Sequence, residues 1–166
     1  IALHQQGITN VVATLGTATT PAHLQVLSRS ADTIVFCFDG DKAGKDAAWK
    51  ALKTSLPSIT SGLIIKFLIL PEGEDPDTII KQESAKAFSK RIETAQTLSS
   101  FLIDHIKAEV PFDTIEGKTL FLEKSASLIN MVNYPIYRQQ LIEGIANTVG
   151  QNIIQVEKAV EQNKLK

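Results

Sequence analysis

Apolar residues in the first half of the chain occur in short runs that are separated by segments with helical spacing. The run TIVFCF, which begins at Thr33, is continuous, and this is typical of a strand covered on both faces. Two further runs with a strand-like character are NVVATLG, from Asn10, and GLIIKFLIL, from Gly62. Because strands that alternate with helices are joined by crossover connections, the pattern predicts an α/β fold with a parallel sheet flanked by helices.

Helix starts are marked at several places along this half. Thr20 followed by Pro21 is a typical start, because Thr caps free backbone amides and Pro suits the first helical position. The segment 42–56 carries apolar residues at every fourth position, which places them on one helical face. DPDTIIKQ opens another helix with Pro76 at its first position. The opening residues IALHQQGI have helical spacing with no cap before them, so we expect the chain to be a segment of a longer polypeptide.

After about Ser84 the strand patterns stop and helical patterns follow. Apolar residues with helical spacing form four stripes, which run from Leu98 to Ile106, from Phe121 to Val132, from Tyr137 to Val149 and from Ile153 to Val160. Pro111 and Pro135 separate the first three stripes. We therefore expect two domains, an α/β domain at residues 1–95 and a small all-helical bundle at residues 96–166.

The composition narrows the class of protein. With 43% hydrophobic and 21% charged residues, the 166-residue chain is ordinary for a globular protein that buries a core. No apolar run approaches the ~20 residues that cross a bilayer, so we expect no membrane partner. Cys37 is the single cysteine, which excludes a disulfide framework and a cysteine-based zinc site and predicts a cytoplasmic protein with a buried, inert thiol. The net charge of −1 argues against an overall basic surface but leaves a local basic groove open.

Two acidic motifs follow two of the predicted strands. FDGDKAG places Asp39 and Asp41 directly after the run that begins at Thr33, and LPEGEDPD places Asp75 and Asp77 after the next run. Because ligands of a parallel sheet bind beyond the carboxyl ends of its strands, we expect these four carboxylates at one edge of the sheet. Carboxylate oxygens at this spacing suit hard cations such as Mg²⁺ or Mn²⁺.

Each motif also has a purely structural interpretation. Asp75 can cap a helix and Asp77 favours the positive end of its dipole, while Asp-Gly-Asp is a common turn. A calcium loop of the EF-hand type is excluded, because Ala43 and Lys50 occupy the positions that would need acidic or amide ligands. A phosphatase of the haloacid dehalogenase type usually continues with Gly-Thr, where this chain has Lys42 and Ala43. The two motifs together favour a metal site.

Three motifs in this order and spacing, the loop LGTATT, FDGDKAG and LPEGEDPD, resemble the Toprim domain of bacterial replicative primases, the DnaG-type family. The resemblance covers essentially the whole chain, because the helical second half is similar to the bundle that closes the RNA-polymerase core of that family. It implies a DNA-directed RNA polymerase that makes short RNA primers from ribonucleoside triphosphates on a single-stranded DNA template during replication.

The resemblance also implies roles for the acidic residues. Asp39 and Asp41 match the pair that holds catalytic Mg²⁺ or Mn²⁺ ions, and are expected to be metal holders rather than nucleophiles. Asp75 and Asp77 match the second acidic pair of the metal site.

A second set of residues is expected to contact phosphates. Gly16 and Thr17 match the family's loop that lies against the metal pocket, and Lys42 and Lys45 follow at the next helix start. Backbone amides of the loop or the two lysines could meet nucleotide or template phosphates. For the lysines a solvated helix face is an equal alternative.

One departure from the family pattern is a missing glutamate, which the first strand of the family supplies within a Glu-Gly-Tyr-Met-Asp-like motif. The match to this chain begins after that motif, at Ile1, so the first strand is expected to be missing from residues 1–95. The basic subdomain, the zinc-binding module and the module that binds the replicative helicase are expected outside the chain. We expect these 166 residues alone to be inactive and, with a strand edge exposed, prone to association.

Two other functions use a similar scaffold. A Toprim domain of a topoisomerase or nuclease acts on phosphodiesters, and a topoisomerase would need a nucleophilic tyrosine, for which Tyr134 and Tyr137 are the available residues. A non-catalytic DNA-binding Toprim protein, as in recombination mediators, usually carries a zinc motif that Cys37 alone cannot supply. Primase is the favoured hypothesis.

Overall fold

A three-stranded sheet is present in the computed structural model, which describes residues 2–14 and 18–164. The described strands, in spatial order, are β1 (Thr33–Phe38), β2 (Ile64–Ile69) and β3 (Gln96–Thr97). β1 and β2 pair in parallel, as predicted, with Phe38 opposite Ile69. β3 pairs antiparallel to β2, so the sheet is mixed and the prediction of a wholly parallel sheet is wrong at this strand. A two-residue strand has no apolar run or alternation by which sequence analysis could detect it.

Helices follow the predicted order, with additions. The described helices are α1 (Ala2–Gln5), α2 (Pro21–Leu27), α3 (Lys42–Ser55), α4 (Pro76–Gln82), α5 (Ala85–Glu93), α6 (Leu98–Ala108), α7 (Ile115–Ile129), α8 (Pro135–Val149) and α9 (Ile153–Asn163). A 3₁₀ turn, Leu56–Ser58, follows α3. The predicted starts of α2 and α4 are confirmed, since Thr20 and Asp75 cap them. The pattern analysis did not identify α5.

The chain divides into two units. The first contains Ile1–Thr54 and Leu63–Leu98, and the second contains Ser55–Gly62 and Ser99–Lys166. Among the described residues, no helix is both long and apolar enough to span a membrane.

The strand predicted from NVVATLG is wrong for the part of it that the structure describes. Residues 10–14 form no strand, and Val11 and Val12 are 37% and 70% exposed. β-branched residues favour a strand only where a neighbouring strand and a buried face are available to them. The end of this run, residues 15–16, lies outside the described residues.

Both faces of the sheet in the first unit are covered. One face packs into a cluster of buried residues from β2, α4 and α5 and from the segments that flank α1, β2 and β3: Ile8, Leu68, Leu70, Ile79, Ile80, Phe88 and Ala95. Val35 and Cys37 of β1 pack against this cluster. On the opposite face of β2, Ile65 and Phe67 are 5% and 2% exposed. Burial on both faces explains why β1 and β2 are continuous apolar runs.

Lys66 is the polar exception within β2, and the structure accounts for it. Its Nζ atom donates a hydrogen bond to the backbone carbonyl of Glu93, at 2.9 Å, in the last turn of α5. A lysine at a helix C-terminus satisfies a carbonyl that has no partner within the helix. Lys66 therefore links the sheet to α5.

The second unit contains the predicted helical bundle. Each of the four stripes contributes buried residues. The least exposed large side chains of the bundle include Leu102, Ile106, Phe121, Ile129, Ile142 and Ile145. α7 packs against both α8 and α9. A polar link supports this packing, because Asn130 Nδ2 donates to the carbonyl of Val160 at 2.9 Å and Arg138 Nη2 donates to Asn130 Oδ1 at 3.3 Å. The prediction of an α/β part followed by a small helical bundle is confirmed.

Replacing Thr114 by Ala should destabilise the second unit. Thr114 caps α7, since its Oγ1 accepts from the backbone N of Gly117 at 2.9 Å and donates to the carbonyl of Pro111 at 2.9 Å. Loss of such a cap costs about 1 kcal/mol in the free energy of unfolding. Urea unfolding followed by circular dichroism measures the effect.

Thr119→Ala is the matched control on the same helix. The Thr119 hydroxyl bonds back to the carbonyl of Ile115 and caps nothing, and alanine is the better helix former. We expect unchanged or slightly raised stability. Equal losses in the two variants would contradict a capping role for Thr114.

Candidate metal site at the carboxyl ends of the strands

The first acidic loop connects β1 directly to α3. Asp39 follows the last residue of β1 and is exposed, and Asp41 immediately precedes α3. The Oδ1 atom of Asp41 accepts a hydrogen bond from the backbone N of Gly44 at 2.7 Å. Asp41 is thus the N-cap of α3, which is a structural role different from the turn that Asp-Gly-Asp suggested. The cap uses one of the two carboxylate oxygens.

Gly44 lies in the first turn of α3, directly against the backbone of Asp39. A Cβ atom at Gly44 would lie 2.1 Å from the carbonyl oxygen of Asp39, so only glycine fits there. The helix therefore starts in contact with the strand end that carries the acidic pair. Sequence analysis missed this role, although the glycine at the end of FDGDKAG was a visible signal.

The second acidic loop connects β2 to α4 and contains a second capping aspartate. Asp75 Oδ1 accepts from the backbone N of Thr78 at 2.7 Å and from its hydroxyl at 3.0 Å. These hydrogen bonds are the main cause of the lowered pKa of Asp75. Asp77 forms an ion pair with Lys81, one helical turn later. Sequence analysis missed Lys81, although the spacing of four residues was a visible signal.

The two acidic loops approach each other, since Gly40 of the first loop lies against the backbone carbonyls of Leu70 and Pro71, which lead into the second. The pKa of Asp39 is raised, first by partial burial of its carboxylate, then by the negative charge of Asp41, and then by that of Asp75. Residues 39 and 75 follow different strands, so the carboxyl ends of β1 and β2 bring them within electrostatic range of each other. No described residue donates a hydrogen bond to Asp39, in contrast to Asp41 and Asp75.

The donor chemistry of this rim fits a hard divalent cation. Among the described residues no group of three or more acidic, histidine or cysteine side chains is arranged to hold a metal ion. Mg²⁺, however, is usually held by one or two carboxylates together with water and substrate phosphates. The pKa of Asp39 is raised first by partial burial and then by the charges of Asp41 and Asp75, and a bound cation would offset both effects.

Glu74 is a further acidic residue of the second loop that sequence analysis did not select. Its Oε2 atom is shielded from solvent and has no hydrogen-bond partner in the described part of the chain. A shielded carboxylate oxygen without a donor is unfavourable. A bound cation is one partner that would satisfy it.

The residues predicted to contact phosphates are only partly described. Gly16 and Thr17 lie outside the described residues. Lys42 and Lys45 are exposed in the first turn of α3, and neither forms an ion pair with a described acidic residue. Their role stays a prediction.

Two family profiles match the chain. The profile described as "Toprim-like" matches residues 1–80, and the profile described as "DnaB-helicase binding domain of primase" matches residues 99–152. The second match differs from the expectation that the helicase-binding module lies outside the chain. A segment with that description lies within it.

Curated relatives and solved structures carry the same name. DNA primase of Escherichia coli K12 is 41% identical over 150 residues, which are 90% of this chain and 26% of the relative. DNA primase of Pseudomonas aeruginosa is 42% identical over 160 residues, 94% of this chain and 24% of the relative. The chain thus spans about a quarter of the curated relatives that it matches.

Two solved structures show the same fold. A DNA primase domain from Pseudomonas aeruginosa superposes with a TM-score of 0.90 at 38% identity, covering 96% of this chain and 50% of that chain. The E. coli primase catalytic core superposes with a TM-score of 0.85 at 41% identity, covering 91% of this chain and 48% of that chain. The chain belongs to the DnaG-type DNA primase family and corresponds to about half of its catalytic core.

Proposed function

We propose that this chain supplies the metal-holding carboxylates of a primase that makes short RNA primers on single-stranded DNA. The observation that carries the proposal is that β1 and β2 pair in parallel and end together, so that the loop of Asp39 and Asp41 and the loop of Asp75 leave the sheet from one edge. Partial burial raises the pKa of Asp39, and the charges of Asp41 and Asp75 raise it further. Two acidic loops thus concentrate negative charge where a divalent cation is needed. One structural relative of this chain is a DnaG primase catalytic domain bound to ssDNA.

Asp39 and Asp41 are the residues that would hold Mg²⁺ or Mn²⁺. When bound, the cation lowers the pKa of the attacking 3′-hydroxyl and neutralises charge on the phosphates. The side chain of Asp41 is held in place by the backbone N of Gly44, and that of Asp75 by Thr78. Because both carboxylates are already oriented, little side-chain entropy is lost when a ligand binds.

Lys42 and Lys45 are proposed to contact the phosphates of the nucleotide or template. They lie in the first turn of α3, immediately after the capping Asp41, and both are exposed. Backbone amides at a helix N-terminus favour anions in the same region. The loop residues Gly16 and Thr17 are proposed for the same role on the basis of the family resemblance.

Neither the tyrosines nor the cysteine supports the alternative functions, a topoisomerase with a nucleophilic tyrosine or a DNA-binding Toprim protein with a zinc motif. Burial raises the pKa of Tyr137, which is also hydrogen-bonded to Ser99, whereas a nucleophile is activated by a lowered pKa or an adjacent base. Tyr134 is the N-terminal boundary residue of α8. Burial and the charge of Asp39 raise the pKa of Cys37 to about 11, which suits an inert thiol.

A replicative helicase is the proposed protein partner of the whole polypeptide. The match of residues 99–152 to the helicase-binding profile supports this proposal. The proposed location is the cytoplasm, where replication proteins of bacteria act. Primer synthesis, substrates and partners are proposed for the whole polypeptide of which this chain is one part.

Asp39→Asn should weaken metal binding at least about 10-fold and abolish primer synthesis in the full-length polypeptide. Mutations of residues that only orient metal ligands already cost about 10- to 100-fold, so loss of a ligand should cost at least as much. Mn²⁺ binding measured by electron paramagnetic resonance and primer synthesis on a single-stranded template test the two effects. Asp46→Asn, an exposed aspartate of α3, is the control and should change neither. Wild-type Mn²⁺ affinity in Asp39→Asn would refute the proposed site.

The same variant should be as stable as the wild type at low pH and equally or more stable at neutral pH. The pKa of Asp39 is raised on folding, so the folded state holds its proton more tightly and stability falls as the pH rises through that pKa. Asparagine does not ionise, so the variant does not lose stability in this pH range. Melting temperatures at pH 3 and pH 7 test the sign, and added Mn²⁺ should raise the wild-type value alone. A variant that is less stable at pH 7 would favour a structural turn.

Replacing Lys42 and Lys45 together by Gln should weaken nucleotide or template binding and leave Mn²⁺ affinity unchanged. Each phosphate contact that is lost reduces the salt dependence of single-strand binding by about 0.7 in the logarithmic slope. Lys50→Gln, on the exposed surface of the same helix, is the control. An unchanged KM for nucleotides together with an unchanged salt slope would show that the two lysines form only a solvated helix face.

A further inference from the structure

Gly40 separates the two aspartates of the first loop and is buried, although its neighbours Asp39 and Asp41 are exposed. A Cβ atom at this position would lie 2.2 Å from the carbonyl oxygen of Leu70 and 2.3 Å from that of Pro71. Real Cβ atoms essentially never come closer than 3.0 Å to such atoms. The φ angle of Gly40 is not in the left-handed region, so close approach, not backbone conformation, requires glycine here.

The two carbonyls that face Gly40 belong to the start of the second acidic loop. Leu70 is joined to the end of β1, since its backbone N donates to the carbonyl of Phe38 at 2.9 Å. The carbonyl of Pro71 accepts from the backbone N of Glu74 at 3.1 Å and so closes the turn that leads to Asp75. Both groups are backbone, so neither can rotate away as a flexible side chain would.

We propose that Gly40 is a positioning residue whose missing side chain sets the distance between the two acidic loops, so that Asp39 and Asp75 act on the same cation. The proposal rests on the proposed metal site and adds to it a residue that contacts no ligand. The effect of Asp75 on the pKa of Asp39 is consistent with this short distance.

A methyl group at Gly40 would force the loops apart by roughly 1 Å. Misplacement of a site by about 1 Å can cost about 100-fold in rate, because reacting groups must be held within a few tenths of an ångström. The carboxylates of the two loops would then no longer reach one cation together. The fold itself would lose stability, as it would at any close backbone contact, so stability alone cannot identify a positioning role.

Gly117 and Gly144 provide matched controls. A Cβ atom at Gly117, in α7, would lie 1.9 Å from the carbonyl oxygen of Pro111, which is the same kind of clash in the other unit. Nothing lies within 4 Å of a Cβ atom at Gly144, in α8. Gly117→Ala therefore measures the effect of a backbone clash outside the acidic loops, and Gly144→Ala measures the effect of a methyl group that meets no neighbouring atom.

The experiment compares the Mn²⁺ affinity of the three alanine variants of the full-length polypeptide, by electron paramagnetic resonance below their melting temperatures. We expect Gly40→Ala to lose at least about 10-fold in Mn²⁺ affinity. Gly117→Ala should keep the wild-type affinity despite a lowered melting temperature. Gly144→Ala should keep the affinity with an unchanged or raised melting temperature, because alanine is the better helix former. Wild-type Mn²⁺ affinity in Gly40→Ala, or an equal loss in Gly117→Ala, would overturn the proposal.

A second measurement covers the case in which Gly40→Ala does not fold. In the native background, Asp39→Asn, Asp75→Asn and the double variant form a cycle, and Asn retains the capping role of Asp75. Carboxylates that share one cation should give strongly non-additive losses of Mn²⁺ affinity, and additive losses would overturn the positioning role. Unchanged affinity in Asp39→Asn would instead overturn the proposed metal site, and with it this inference.

Discussion

The parallel pairing of β1 with β2 is the constraint on which the candidate site depends. Phe38 lies opposite Ile69, so both strands end at the same level and both acidic loops leave from one edge. A shift of one residue would turn each side chain of a strand to the opposite face of the sheet. Because both faces of these strands are apolar, the register is selected by how well the side chains pack and not by polarity. The bond from Leu70 N to the Phe38 carbonyl extends this register beyond the last paired residues.

Two acidic loops leave the sheet from one edge, and local structure offsets part of the cost of their negative charge. Asp41 and Asp75 each accept hydrogen bonds at a helix N-terminus, and Asp77 is paired with Lys81. The side chain of Asp39 has no such partner among the described residues, and its pKa is raised, mainly by partial burial. The structural and metal-binding interpretations of these motifs are therefore compatible, because a capping carboxylate uses only part of its hydrogen-bonding capacity.

The family comparison and the physical argument support each other at different levels. Sequence identity of about 40% to DNA primases of Escherichia coli and Pseudomonas aeruginosa establishes the family. It does not explain why particular residues are needed. The close approaches at Gly40 and Gly44 explain why glycine is needed at these two positions, since a side chain there would keep the neighbouring backbone segments apart.

The sequence by itself determined the features that depend on neighbouring residues. The caps at Thr20 and Asp75, the buried runs of β1 and β2, and the four helical stripes were all predictable, because capping and periodicity act within a few residues. The order of the two acidic motifs after their strands was also visible. Together these features sufficed for the fold class and for a hypothesis about where the metal site lies.

The tertiary structure decided what depends on distant partners. Residues 10–14 have the composition of a strand but form none among the described residues, whereas Gln96–Thr97 form one with almost no sequence signal, because a strand exists only through its pairing. The raised pKa of Asp39 arises from partial burial, from its neighbour Asp41 and, in third place, from Asp75, which lies 36 positions further along the chain. The need for glycine at position 40 arises from carbonyls that follow β2, and spacing along the chain carries no information about such an approach.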